Sequence, residues 1–155
     1  LLGAVTRSVM MSAALESILE LSVQYALDRN QFGRPIARFQ AIQQQLAVLA
    51  GEVAASIRAA DAVIESVSNS EWLDEIEVAV AKSRIGDAVG VSTDIAHQVH
   101  GAMGYTMEHV LNHRTRRLWC WRDEFGGERV WWEVLGKRFA ERKANMIWSA
   151  ISKLG

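Results

Sequence analysis

Four places in this 155-residue sequence combine residue types that can do chemistry. The first is Trp121-Arg122-Asp123-Glu124-Phe125-Gly126-Gly127-Glu128, two adjacent carboxylates at a helix end among aromatic rings and glycines. A base that works on an apolar substrate needs its charged form partly desolvated, which brings its pKa up toward neutrality. Asp123 or Glu124 meets that condition if Trp119, Trp121, Phe125 and Trp131 surround it. The other reading is a helix terminus whose acids serve the next helix, a role that also suits Glu128.

The second place is Arg29-Asn30-Gln31-Phe32-Gly33, with a fixed cation, a side-chain amide, an aromatic plate and a glycine. That set can hold a pyrophosphate and stack on a flat ring, or it is an ordinary interhelical loop. The third is the run His113-Arg114-Thr115-Arg116-Arg117 with Arg122 nearby, whose guanidinium forks suit oxyanions. Nucleic acid, a cofactor or CoA phosphate, and a solvated basic face are its three readings. The fourth is His109 and His113, four apart on one helical face, the spacing of a two-histidine metal site. No carboxylate follows His109 directly and no third ligand stands out, so the expectation there is surface or packing histidines and no metal.

These residues need elements to position them, and the pattern is helical throughout. Met11, Ala14, Leu15, Ile18, Leu19, Tyr25 and Ala26 recur at three- and four-residue intervals, predicting a helix over Ala4 to Asp28. Gly33 and Pro35 punctuate the loop that follows. Ile42, Leu46, Leu49, Val53, Ile57, Ile64 and Val67 predict a second long helix, broken at Ser68-Asn69-Ser70. A third runs from about Leu73 to Val99. Glycine inside a helix costs about 1 kcal/mol relative to alanine, so Gly86 and Gly90 predict close approach of another helix. Gln98-Val99-His100-Gly101-Ala102-Met103-Gly104-Tyr105 reads as a helix end passing into a glycine-rich loop. A shorter helix over Glu108 to Trp121 and a last one over Glu128 to Lys153 complete the chain. No segment alternates with period two, so the predicted fold is all-α, an antiparallel bundle of four or five helices in one domain spanning 1–155.

Composition sets the outer bounds. With 50% hydrophobic and 23% charged residues the chain can bury a real core, and a net charge of −1 gives no global reason to expect nucleic acid or an anionic membrane as partner. The single cysteine, Cys120, cannot close an internal disulfide, which makes a reducing cytoplasm the expected compartment. No uninterrupted apolar run reaches the roughly 20 residues of a membrane span, so no membrane insertion is expected. The start, Leu1-Leu2-Gly3-Ala4-Val5, lacks an initiator methionine and a basic lead-in, which predicts a piece of a longer chain.

Three motifs in this order carry a resemblance: Tyr25-Ala26-Leu27-Asp28-Arg29-Asn30-Gln31-Phe32-Gly33 with Phe39-Gln40 after it, then Gln98 through Tyr105, then Arg114 leading into the Asp123 region. Over essentially its whole length the chain resembles the C-terminal helical domain of the acyl-CoA dehydrogenases, FAD enzymes that oxidise acyl-CoA thioesters to 2-enoyl-CoA. The resemblance implies that Arg29, Gln31 and Phe32 contact the FAD of a neighbouring subunit, with Phe39 and Gln40 beside it. It implies that Gln98, Val99, His100, Gly101 and Ala102 wrap the adenosine and pyrophosphate side.

The family's base commonly stands in a Tyr-Glu-Gly triplet, and alignment from Arg114 puts Asp123 there as first candidate and Glu124 as second. Aspartate is one methylene shorter than glutamate, and Phe125, Gly126 and Gly127 replace the family's polar residues beyond the base. Members that carry the base on the first helix of this domain would have it near Gly3, where this chain has no acid. The Trp-Arg-Asp-Glu-Phe-Gly form resembles a bacterial, cytoplasmic branch acting on steroid-like or cyclic acyl-CoAs, some of whose members are heteromeric.

The partners so implied are an acyl-CoA, an electron-transfer flavoprotein and further subunits in a homodimer, tetramer or heteromer. Two other readings stay open: a noncatalytic subunit whose partner supplies the base, and a helical interaction module without flavin. Taken alone, this stretch is expected to bind FAD weakly, to be inactive and to self-associate.

Overall fold

In a computed structural model that describes residues 1–69 and 73–141, five α-helices form the bundle. They are α1 (Leu2–Asp28), α2 (Gln40–Asn69), α3 (Glu75–His100), α4 (Val110–Asp123) and α5 (Glu128–Ala140). The predicted continuation of the last helix to Lys153, with Ile147 and Ile151, lies outside the described residues, as does Ser70. Helices α1, α2 and α3 pack on one another, α4 lies on α1 and α3, and α5 lies on α3.

The burial pattern follows the apolar spacing. Met11, Leu15 and Ile18 of α1 meet Leu49 and Val53 of α2, Ile85 and Val89 of α3, and Leu111 and Leu118 of α4 in one cluster. A second cluster gathers Val5, Val63, Val78 and Trp131. Small hydroxyl residues let the long helices approach: Ser8, Ser22 and Ser83 are buried, and each donates to the carbonyl four residues back, which satisfies its hydroxyl within its own helix. By length and composition α1 is also apolar enough to cross a membrane, although polar residues interrupt it throughout. In this fold it is a central helix of the bundle, with nine buried residues.

Local chemistry sets the boundaries. Asp74 caps α3 by accepting from the Ile76 amide at 2.8 Å. His109 caps α4 in the same way, its Nδ1 accepting from the Leu111 amide at 3.2 Å. That cap starts α4 two residues later than the apolar pattern suggested, and the helix runs on to Asp123. The loop after α1 closes as a tight hairpin, β1 (Asn30–Gln31) against β2 (Arg34–Pro35), with Asn30 opposite Pro35 and Gln31 opposite Arg34. Phe32 and Gly33 at its tip both have positive φ, 52° and 77°, the backbone that a two-residue hairpin turn requires.

Candidate cofactor cleft and acid loop

Helix α1 and its hairpin meet the end of α3 in a cleft of about 340 Å³ lined by Tyr25, Arg29, Gln31, Ile36, Gln98, Val99, His100, Gly101, Ala102 and Met103. Residues some seventy positions apart in the sequence thus share one cavity. The hairpin is held there by the Ile36 amide, which donates to the Arg29 carbonyl at 2.8 Å. Gly101 ends α3 with φ 58° and ψ −145°, a conformation that side chains rarely adopt, and a Cβ there would meet nothing within 4 Å. A ligand can therefore come up against its backbone.

Three of the residues matched to the cofactor lie apart from this lining. Phe32 is 91% exposed at the hairpin tip, its ring edge-on to Phe39 with centroids 6.2 Å apart, and Arg34 covers the Phe39 face at 4.2 Å. Gln40 is exposed at the start of α2. Phe32, Phe39 and Arg34 form an aromatic and cationic group of their own beside the hairpin.

One histidine, His100, lines the cleft, and two more, His97 and His109, lie near it. His100 is 2% exposed and stacks on Tyr25 with centroids 4.4 Å apart; His109 meets it edge-on at 5.1 Å. His100 Nδ1 lies 2.8 Å from the Ala96 carbonyl, which places the proton there and leaves Nε2 as an acceptor without a hydrogen-bond partner among the described residues. His97 stacks on Tyr105 at 4.3 Å, and its Nε2 lies 3.0 Å from the Thr115 hydroxyl. Among the described residues no group of three or more histidine, cysteine or acidic side chains could hold a metal.

Burial lowers the pKa of both His97 and His100; for His100 the bond to Ala96 opposes the shift and the neighbouring imidazoles add to it. The folded protein thus binds fewer protons than the unfolded chain just below pH 6.5, so stability is present above that pH and is lost as pH falls toward the lowered values. Urea melts between pH 7.5 and 5.5 should show the loss, and His100→Gln should flatten the slope. Asp87 and Glu77, whose carboxyl pKa values burial raises, act in the opposite sense and cancel from the wild-type-minus-variant difference. An unchanged slope in His100→Gln counts against this account.

The acid loop sits at the opposite end of α4. Asp123 is the last residue of that helix and is exposed; Glu124 is the residue that ends it. The aromatic rings do not enclose the two carboxylates, contrary to the condition set for a desolvated base. Consecutive residues at a helix end point apart, and here only Glu124 meets a cation. Glu124 turns to α1, where Oε2 accepts from Arg7 Nε at 2.5 Å, and the Arg7 guanidinium covers the Trp121 ring at 5.5 Å. Phe125 takes a positive φ of 57° and lays its ring on Gly3, where a Cβ would fall 2.5 Å from Cε1. Of the two candidate acids, only Asp123 has no ion-pair partner within the described residues.

Beneath the loop lies a buried charge cluster that the sequence reading missed. Lys82 of α3 is 1% exposed, and its ammonium donates to the Arg122 carbonyl at 2.6 Å and the Gly126 carbonyl at 2.9 Å. Burial lowers its pKa, while Glu128, Asp123 and Glu124 favour the charged form. Arg122 pairs with Glu128 at 2.7 Å, and the Glu128 side chain fills the notch above Gly86. The legible signal was Lys82 itself, standing with Val78, Ile85 and Val89 on the buried face of α3.

Comparisons with known proteins follow the same lines. Residues 2–140 match the family model described as "Acyl-CoA dehydrogenase, C-terminal domain". The 3-sulfinopropanoyl-CoA desulfinase of Paraburkholderia xenovorans is 35% identical over 103 residues, covering 65% of this chain and 26% of that protein. An acyl-CoA dehydrogenase structure from Geobacillus kaustophilus superposes with a TM-score of 0.81 at 27% identity, covering 88% of this chain and 36% of that one. The ChsE4-ChsE5 complex from Mycobacterium tuberculosis gives a TM-score of 0.76 at 27% identity, covering 92% and 39%. The chain spans well under half the length of these relatives.

Proposed function

The chain belongs to the acyl-CoA dehydrogenase family as its C-terminal domain, and from that premise we propose that it forms the flavin-binding helical part of an acyl-CoA oxidoreductase. The observation that carries this reading is the cleft, which brings Arg29 and Gln31 from the hairpin to Gln98, His100 and Gly101 from the end of α3. Its donor set fits the adenosine and pyrophosphate portion of FAD: a guanidinium for the oxyanions, side-chain amides for the sugar and base edges, and open glycine backbone for close approach.

When bound, the flavin supplies an acceptor for the substrate's β-hydride. Arg29 holds the phosphates, and Gln31 and Gln98 orient the nucleoside. Phe32, Phe39 and Gln40, which are not part of the cleft lining, contact the cofactor of a neighbouring subunit. Asp123 takes the α-proton of the acyl-CoA, and an electron-transfer flavoprotein receives the electrons. The assembly is a dimer or tetramer of this chain, or a heteromer.

The test is the flavin content and visible spectrum of the intact protein. A yellow protein whose absorption bleaches on anaerobic addition of an acyl-CoA is expected. Replacing Arg29 by alanine, which removes a charged partner of a phosphate, should weaken FAD binding at least about tenfold, since hydrogen bonds to charged groups contribute about 1.5–3 kcal/mol. A colourless protein that cannot be reconstituted with FAD defeats the proposal.

A second reading, a noncatalytic subunit in a heteromer, is favoured by one observation. Arg7 engages Glu124 and the Phe125 ring covers Gly3, so among the described residues Asp123 is the one candidate base left on this chain. Copurification of a related chain that carries its own base would support it.

A further inference from the structure

Lys82 is the largest fully buried side chain of the described residues, and its two acceptors are not scattered. The Arg122 and Gly126 carbonyls bracket Asp123, Glu124 and Phe125. We infer that Lys82 is a positioning residue: by tying the two carbonyls together from α3, it holds the backbone between them, and with it the Asp123 carboxylate, in one orientation.

Three features of the loop make such a strap necessary. Phe125 and Gly126 both have positive φ, 57° and 96°, so the backbone between the tethered carbonyls departs from any regular element. The remaining backbone bonds there are long, Glu124 amide to Cys120 carbonyl and Gly126 amide to Asp123 carbonyl, both 3.3 Å. The other side-chain bond to the loop backbone within the described residues is from Trp131 Nε1 to the same Gly126 carbonyl at 3.1 Å. A carbonyl with two lone pairs accepts from both, so Lys82 and Trp131 seize one end of the loop from α3 and α5 together.

The charge is housed as well as the geometry. Glu128, paired with Arg122, and Asp123 surround the ammonium, so a neutral side chain of equal length would lose both the donors and the local field. A buried ammonium serving only stability is a costly choice, because burial of a charge is offset only when its hydrogen bonds are complete. Here they are spent on one loop.

The catalytic half of the inference rests on the acid-loop reading above, and the backbone half does not, so the test uses two readouts on the full-length protein. In the wild type, the Glu124 and Gly126 amides should exchange with deuterium as slowly as interior amides of α4 such as Leu118. Exchange as fast as in an unstructured loop overturns the inference without any variant being made. In Lys82→Met the loop amides should exchange at least about tenfold faster while Leu49 and Val53 are unchanged. A rise shared by the core, or none, also overturns it.

With the best substrate of a series from butyryl-CoA to palmitoyl-CoA, Lys82→Met should slow flavin reduction about 100-fold, the effect of misplacing a reacting group by about 1 Å. The half-saturating substrate concentration should stay within threefold and Lys82→Arg should recover most of the rate. A K82M enzyme that reduces its flavin at the wild-type rate overturns the catalytic half. A wild-type protein reduced by none of these thioesters defeats the acyl-CoA dehydrogenase reading, and the exchange measurement then decides the loop by itself.

Discussion

Replacing Gly86 by alanine is expected to destabilise the bundle by about 2 kcal/mol, while the same replacement one turn on, at Gly90, is expected to stabilise it by about 0.5–1 kcal/mol. Both glycines lie inside α3, where alanine has the better helix propensity, so propensity predicts the same gain at each. What differs is the space. A Cβ on Gly86 overlaps Oε1 of Glu128 and falls 2.8 and 2.9 Å from its Cδ and Cγ, so Glu128 must leave the notch. Its carboxylate is the partner of Arg122 in a pair whose side chains are 24% and 11% exposed. Breaking a buried pair costs about 3–5 kcal/mol, and the partial exposure here argues for the lower end, about 3 kcal/mol before the propensity gain of about 1 kcal/mol is returned. At Gly90 the added methyl meets Arg122 Nη1 at 3.7 Å, an ordinary contact, and propensity decides. Chemical denaturation of both variants gives the answer. Equal signs at the two positions would mean that the Glu128 notch does not matter.

That contrast shows which parts of the molecule are legible in the sequence. Spacing at three and four residues sets helix existence because burial acts on a local period, and the described residues form five helices where four or five were expected. It also marks Gly86 as a place of close approach. It cannot say that the approaching group is a carboxylate, because Glu128 lies 42 positions away and its sequence neighbours suggest a helix-start acid. The same limit hides the Arg7–Glu124 pair, whose members are 117 positions apart. In the cleft, motif residues far apart in sequence, Arg29, Gln31 and Gln98 to Ala102, line one cavity. Phe32, Phe39 and Gln40 stand apart from that lining, Phe32 because it sits at the tip of the two-residue turn and the other two because they follow the hairpin. The aromatic enclosure that a desolvated base would need is not formed, because the rings have other partners. Trp119 stacks under Arg122 at 5.1 Å and Trp131 bonds to the loop backbone, so two of the rings are committed to the cation and the turn.

The second large effect is on chemistry. In the full-length enzyme, Asp123→Asn is expected to slow flavin reduction by an acyl-CoA by about 10²–10⁴-fold, the usual contribution of a positioned general base. Glu124→Gln is expected to leave the rate within about threefold and to cost about 0.2–1 kcal/mol of stability, as for other partly exposed ion pairs. The asymmetry follows from partners. Glu124 is held against α1 by Arg7, which in turn rests on Trp121, so moving it to a substrate means breaking both contacts. Asp123 has no such tether, and the strap from Lys82 fixes the backbone on either side of it. Arg7→Met provides the control, because it frees Glu124 without removing it: a gain of rate in Asp123→Asn on adding Arg7→Met would identify Glu124 as a base held in reserve. Loss of activity in Glu124→Gln alone would reverse the assignment. Should neither acid matter, the proton must go to a group other than these two, and the Phe125 ring on Gly3 then reads as a plug over a position that carries no base here.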